Sequence, residues 1–310
     1  GGMTTLTATV VIPTRNRGSM IVPCLRSVLA MEGVDVNVLV VDQSEDDSTS
    51  EAVSEVAAGD ARVELIRSRT VGLSASRNLA AAHSSADVLA YTDDDCELDP
   101  AWLVAILNEF EDPRVGAVFG RVVPPGFKSR NGLEVAFKPS DDRVVYRSAV
   151  PPWHVGHGAN MAVRRKALIE VGGFDESLGA GAAFPAAEDL DAAYRLVAAR
   201  WWLVYSGAAR AYHLDWRDWK SRQRVERGYG IGAGAMFMKH LRCGDLYGAR
   251  LFMTWTWELG VRRVGAGLLK WRSAKPMYLG YCQLLYPWIG AARSLARTID
   301  RESATFSRAA

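Results

Sequence analysis

Short runs dominated by β-branched, aliphatic and aromatic residues alternate with stretches of helical spacing through the first part of the chain. The runs are Thr7–Ile12, Val36–Val41, Val63–Ile66, Val88–Tyr91 and Val115–Phe119. Between them lie Met20–Ala30 (apolar at Ile21, Leu25, Val28 and Leu29), Ser48–Ala58, Leu73–Ala82 and Ala101–Phe110, which read as helices. A strand that is apolar at every position needs cover on both faces, and helices between strands provide it. The pattern therefore predicts an α/β fold with a mostly parallel sheet and helices on both faces. In such sheets ligands sit beyond the carboxyl ends of the strands. Three polar clusters fall there: Pro13–Arg17, Asp42–Asp47 and Asp93–Asp95.

The last of these is Asp93-Asp94-Asp95, at the end of an apolar run. Adjacent carboxylates that converge raise one another's pKa unless a cation separates them. The hard cations Mg²⁺ and Mn²⁺ are the usual neutralisers and are commonly shared with substrate phosphates. Asp99-Pro100 reads simply as N-cap and first helical residue. Asp42, at a strand end, can accept from a base N–H or a ribose hydroxyl. Asp47 is explained by helix capping. Arg77, in Gly72-Leu-Ser-Ala-Ser-Arg77-Asn78, is a candidate phosphate or base contact.

A second acid pair, Glu188-Asp189, opens a helix expected over Glu188–Arg200. Acids there complement the helix dipole. They also suit a general base. A transfer to a hydroxyl with a diphosphate leaving group requires one carboxylate to take the hydroxyl proton and a cation to absorb charge on the departing diphosphate.

The segment Pro124–His157 is rich in Pro and Gly and is expected to cross the front of the sheet irregularly. A strand over Ala159–Val163, a short helix from Arg164 and a short strand at Trp202–Tyr205 follow. Signals from Trp219 onward are helical, and the glycines at 228, 230, 232 and 234 match no phosphate-loop fingerprint. Charge divides along the chain. Residues 1–199 carry 18 Lys/Arg against 28 Asp/Glu, whereas residues 200–310 carry 19 against 7 and eight of the ten tryptophans. A basic, Trp-rich segment suits an anionic membrane surface or a phosphate-bearing acceptor, or else forms a helical subdomain with a solvated basic face. The longest uncharged run, Pro276–Ala292, has 17 residues, too short to span a bilayer and suited to a buried or interfacial helix. Four scattered cysteines (Cys24, Cys96, Cys243, Cys282) argue against a zinc site or a disulfide framework and for a reducing compartment. Gly1-Gly2-Met3 reads as an expression scar, and no signal peptide follows it.

Eight motifs, in order over about residues 7–215, resemble the family 2 glycosyltransferases of GT-A fold. They are Val11-Ile-Pro-Thr-Arg-Asn-Arg17, Val40-Val-Asp42, Gly72 through Asn78, Thr92-Asp-Asp-Asp95, Gly158 through Arg165, Gly172-Gly-Phe-Asp175, Glu188-Asp-Leu-Asp191 and Tyr212-His213. The resemblance implies a nucleotide pocket lined by Pro13, Thr14, Arg15 and Asp42, with Arg77 assisting. It implies Asp93 on the ribose or, through water, on the metal, Asp95 as ligand of Mn²⁺ or Mg²⁺, His213 completing the metal site, and Asp94 in support. Asn160 would border the donor sugar. Asp189 would be the catalytic base of an inverting displacement, with Glu188 shaping the contacts around it. The Gln-Xaa-Xaa-Arg-Trp motif of processive synthases is missing, so a single transfer is expected.

The expected organisation is a catalytic domain over 4–218, with halves about 4–123 and 124–218, and a helical extension over 219–310. The expected reaction takes a nucleotide sugar, UDP-linked, to a lipid-linked or envelope glycan. The expected location is cytoplasmic, with peripheral contact at the inner membrane face through 219–310. A homo-oligomer is allowed and no nucleic-acid partner is expected. The rivals are a soluble natural-product acceptor, a nucleotidyltransferase and a non-catalytic binding protein.

Overall fold

A computed structural model of the chain describes residues 6–127, 136–214 and 218–307. The expectation for Gly1–Met3, and part of that for Pro124–His157, lie outside these residues.

Strands β1 (Ala8–Thr14), β2 (Asn37–Asp42), β3 (Val63–Arg67) and β4 (Val88–Thr92) form a parallel block in the order β3-β2-β1-β4. Helices α1 (Val22–Leu29), α2 (Ser48–Ala57) and α3 (Leu73–His83) connect them. Register pairs Thr14 with Asp42 and Val11 with Tyr91, which aligns the carboxyl ends of β1, β2 and β4. Side chains on successive strand residues point to opposite faces. Accordingly Val10 and Ile12 enter one core with helix α4 (Trp102–Glu109), while Val11 and Tyr91 enter another with residues of helix α6 (Glu188–Ala198). Burial on both faces is why these runs contain no polar alternation.

Beyond β4 the sheet becomes mixed. It continues through β8 (Asn160–Arg164), β6 (Val115–Val123) and β9 (Trp202–His213) to β5 (Cys96–Leu98), and β7 (Arg143–Tyr146) also pairs with β9. Strand β8 runs antiparallel to both β4 and β6, whereas β6 and β9 are parallel. The β9 strand extends well past the expected Tyr205, because three partners in turn take up its backbone. Its far end pairs His213 with Cys96, and Leu214 N–H donates to Asp95 O at 2.9 Å. This antiparallel return brings His213 beside the acid triplet. The short helix α5 (Arg165–Glu170) follows β8 as expected.

After Asp218, whose side chain caps the helix by accepting Ser221 N–H at 2.7 Å, comes the long helix α7 (Trp219–Arg242). Helix α8 (Tyr247–Trp255) continues through a π-helical turn (Thr256–Val261), helix α9 (Arg262–Ala266) and a second π-helical turn (Gly267–Trp271). Helix α10 (Ala274–Ser294) then packs back on α7. The two backbones nearly touch: a Cβ at Gly234 would lie 1.8 Å from Pro287 O, and one at Gly290 1.9 Å from Ile231 O. Only glycine permits so close an approach. The strands β10 (Ile299–Asp300) and β11 (Thr305–Phe306) form a final hairpin. A third core cluster joins Leu178, Phe184 and Tyr194 to Met236, Phe237, Trp255 and Phe306, so residues on both sides of residue 218 share one interior. Among the described residues no helix is long and apolar enough to cross a membrane.

Candidate active site

The strand ends deliver their carboxylates to one place, and each is held differently. The Asp42 side chain is fully buried, and its Oδ1 accepts Ser44 N–H at 2.9 Å. Its Oδ2 has no hydrogen-bond partner, and Arg67 Nε stays 4.0 Å away. A buried carboxylate oxygen without a donor is costly, and a nucleobase N–H or ribose hydroxyl would satisfy it. Thr14 Oγ1 donates to Asp94 Oδ2 at 2.8 Å from the neighbouring strand end. Pro13 is buried in β1, and the more exposed Arg15 pairs with Glu45 at 2.8 Å on the rim.

The triplet acids point three ways. Asp93 is about a third exposed and lies 3.8 Å from Arg77 Nη2. Asp94 is buried against Thr14 and, at 3.3 Å, Arg17. Burial pushes its carboxyl up to about 7, against the opposing pull of Arg17 and Thr14. Asp95 is buried with its Oδ1 3.4 Å from His213 Nε2.

Asp95, Cys96 and His213 offer donor atoms that all lie within 4.8 Å of one another. Octahedral Mn²⁺ or Mg²⁺ bonds of about 2.1 Å place adjacent ligands about 3 Å apart, close to the Asp95–His213 spacing. The other ring nitrogen of His213, Nδ1, is buried without a partner. Burial drives the Cys96 thiol well above its ordinary range, so it stays protonated, and hard cations prefer oxygen and nitrogen donors in any case. The residues therefore fit a hard divalent cation held by Asp95 and His213. Asp93 is not in this group.

The second acid pair comes from α6. Ala187 precedes it in the left-handed region (φ 74°), which turns the chain sharply into the helix. Glu188 is buried and takes Arg77 Nη1 at 3.1 Å. Burial first, then the charge of Asp189, push Glu188 up to about 7, with Arg77 opposing. The half-buried Asp189 is fixed by two backbone donors, Gly158 N–H to Oδ2 at 2.6 Å and Leu190 N–H to Oδ1 at 2.8 Å. His157 lies nearby, and burial lowers its pKa against the pull of Asp189.

Arg77 links the two acid groups. Its guanidinium contacts Asp93, Glu188 and, at 3.2 Å, Gly158 O, over the rings of Tyr91 and Phe174. At 1% exposure it reaches the expected nucleotide side only through Asp93. Arg77 holds the triplet and the α6 pair at a set separation. Asn160 is corrected. It is fully buried, its Oδ1 accepts Trp102 Nε1 at 2.7 Å, and its Nδ2 donates to Arg121 O and Ala209 O, each at 2.9 Å. Its amide is spent on joining β8 to β6, β9 and α4, which leaves nothing for a donor sugar.

Three positions escaped the sequence reading. Gln43 clamps Gly72 through both ends of its amide, at 3.2 and 3.1 Å, and so sets the turn before α3 and Arg77. Asn78 does the same for Phe174, at 2.9 and 2.8 Å. Lys239 of α7 is fully buried, with its Nζ 2.7 Å from both Asp175 Oδ2 and Asp191 Oδ1. Asp191, two residues after the candidate base, thereby anchors the C-terminal helices. The polar neighbours Asp42 and Ser44 hinted at a turn around Gln43, but nothing near Asn78, inside α3, or near Lys239 marked their roles.

A sheet with acids at its carboxyl ends and a facing acid pair on a helix defines a GT-A-type domain. The chain belongs to glycosyl transferase family 2, whose family model matches residues 9–172. The "Pre-mycofactocin glycosyltransferase" of Mycobacterium tuberculosis is 31% identical over 242 residues, 75% of this chain and 48% of that protein. The chain thus spans about half the length of that curated relative. Two solved structures share the fold at low identity. The mannosyltransferase PcManGT of Pyrobaculum calidifontis, in complex with GDP-Man and Mn²⁺, aligns with TM-score 0.65 and 18% identity over 94% of this chain and 87% of its own. GalNAc-T7 with UDP, GalNAc and Mn²⁺ aligns with TM-score 0.56 and 17% identity over 74% of this chain and 48% of its own.

Proposed function

We propose that this chain transfers one sugar from a nucleoside diphosphate sugar, UDP-linked by preference, to a hydroxyl acceptor, with inversion and without processivity. The observation that carries the reading is Arg77, one buried guanidinium bridging Asp93 on the donor side to Glu188 beside Asp189. It ties a nucleotide-facing acid cluster to a candidate base within one site. The structural relatives that carry GDP-Man or UDP together with Mn²⁺ support a nucleotide-sugar donor.

Asp42 and Thr14 line the nucleotide pocket, and the unpartnered Asp42 Oδ2 faces a donor group of the base or ribose. Asp189 takes the proton from the acceptor hydroxyl as that oxygen bonds to the anomeric carbon and the bond to the diphosphate oxygen breaks. The two backbone N–H groups hold its carboxylate in place while leaving lone pairs for the acceptor. A divalent cation held by Asp95 and His213 would supply charge neutralisation for the departing diphosphate. The basic C-terminal helices support a lipid-linked or envelope-glycan acceptor.

Calorimetric titration of UDP with Mn²⁺ tests the donor half. Asp95→Ala and His213→Ala should each weaken Mn²⁺-dependent binding by at least about tenfold. Unchanged binding in both would remove them from the site.

A further inference from the structure

The C-terminal helices leave a large apolar surface uncovered. Along the helical run from residue 246 to 269, Leu246 (77% exposed), Met253 (66%), Trp257 (59%), Leu268 (55%) and Leu269 (86%) face outward. With Val261 (42%) between Trp257 and Leu268, the steps are seven, four, four, seven and one, close to one side of a helix. On α10, Tyr281, Leu285 and Trp288 (61%) repeat the pattern, with Leu295 (59%) just past its end. The Phe252 ring, next to Met253 in sequence, lies 4.5 Å from that of Trp288, which brings this run against α10. Monomeric soluble domains rarely expose so much contiguous apolar side chain without a partner for it.

The charge around this face selects the partner. From Leu246 to Leu295 the chain holds seven Lys/Arg and one acid, Glu258. That acid is turned inward, accepting Trp153 Nε1 at 2.9 Å and His154 Nε2 at 2.7 Å. The exposed cations Arg250, Arg262, Arg272, Lys275 and Arg293 are distributed along the same helices, and Arg272 and Lys275 flank the turn just after the most exposed residue, Leu269. Tryptophan and leucine among lysine and arginine, on helices too polar to span, is the composition of a helix lying in the headgroup region of an anionic bilayer. A second copy of this chain would bring the same positive charge against itself.

We propose that this face docks on an anionic lipid surface, with the apolar side chains entering the headgroup–acyl boundary and the cations pairing with lipid phosphates. Docking there would set the active site at the membrane. Glu258, next to Trp257, holds the Trp153–His154 segment, and that segment runs on to Gly158, the donor to Asp189.

Vesicle sedimentation tests the proposal without turnover, so its failure would leave the sugar-transfer reading untouched. The full chain should sediment with equimolar phosphatidylcholine–phosphatidylglycerol vesicles, remain in the supernatant with phosphatidylcholine alone, and be released by salt. The Arg272→Glu/Lys275→Glu and Met253→Ser/Leu269→Ser variants, with unchanged circular dichroism, should each bind at least about tenfold more weakly. The proposal is overturned if the wild type ignores anionic vesicles or binds both compositions equally. It is overturned equally by variants that bind like wild type, or by sedimentation velocity showing a dimer that the apolar variant dissociates.

Discussion

Replacing Lys239 with Met leaves two buried carboxylates facing an apolar side chain. In the native chain Lys239 Nζ lies 2.7 Å from Asp175 Oδ2 and 2.7 Å from Asp191 Oδ1, and all three side chains have zero exposure. Arg195 Nε reaches Asp191 Oδ2 at 2.8 Å, His240 Nε2 lies 2.9 Å from Asp191 Oδ1, and Phe306 N–H donates to Asp175 Oδ2 at 2.8 Å. Two acids therefore face two full cations, and Lys239→Met leaves one negative charge without its partner. Breaking a buried pair from one side costs about 3–5 kcal/mol. Unfolding entropy of about 2.1 cal/mol/K per residue, over 310 residues, converts this to a melting-temperature drop of about 5–8 °C. The pH dependence gives an independent check. Burial by itself would raise Asp191, but Lys239, Arg195 and His240 reverse this and hold it well below the usual carboxylate range. Its stabilisation is thus present above the unfolded value and is lost as pH falls through the native one. Without Lys239 the native pKa rises, protonation relieves the unpaired charge, and the deficit against wild type shrinks on acidification. Thermal unfolding followed by circular dichroism at neutral and mildly acid pH measures both effects. A shift under about 2 °C at neutral pH, or a deficit that grows in acid, would refute the reasoning.

Asn160→Ala should lower stability by about 3 kcal/mol, because Trp102 Nε1 and two backbone carbonyls lose their partner. Donor affinity measured below the melting transition should stay within about twofold; a large affinity loss without destabilisation would return Asn160 to the donor site. Glu188 holds a native pKa of about 7, above its ordinary 4.5, so the folded state binds a proton that the unfolded state releases between those values. Wild-type stability should fall as pH rises through that window, Glu188 contributing up to roughly 3 kcal/mol, and Glu188→Gln should reduce the slope to the part that Asp94, also held at about 7, contributes. Parallel slopes in the two proteins would contradict the assignment.

Strands β1, β2 and β4 were legible because they are buried on both faces and are apolar nearly throughout, and the half-exposed β3 followed from its place in the alternation. The acids were legible because they stand where those strands end. What local pattern could not convey was the direction of β8, since a strand reads the same either way and its partners are set by the whole sheet. Cys96–Leu98 was hidden in an acidic turn. Arg143–Tyr146 was hidden in a segment whose Pro and Gly content suggested irregular chain. The Ser206–Gly207 stretch has weak strand propensity, and β9 crosses it only because β6 and β7 flank it. Partners at the site were hidden for one reason. Arg77 and Asn160 occupy motif positions near the nucleotide side, yet both are buried, and only the packed structure shows the protein groups that the Asn160 amide and the two Arg77 Nη groups already contact. Lys239 was invisible for the opposite reason: it lies in a Gly- and Ala-rich helix far along the chain from the two aspartates it joins.

In the proposed reaction Asp189 is the base of a site whose donor half is built separately from the strand ends. Asp189→Asn keeps the side-chain shape and removes the basic oxygen. Nucleotide-sugar turnover in Mn²⁺, measured beside calorimetric binding of the same donor, tests this directly. The expected result is a turnover loss of at least about 100-fold with donor affinity within about threefold of wild type. Wild-type turnover by Asp189→Asn would contradict it.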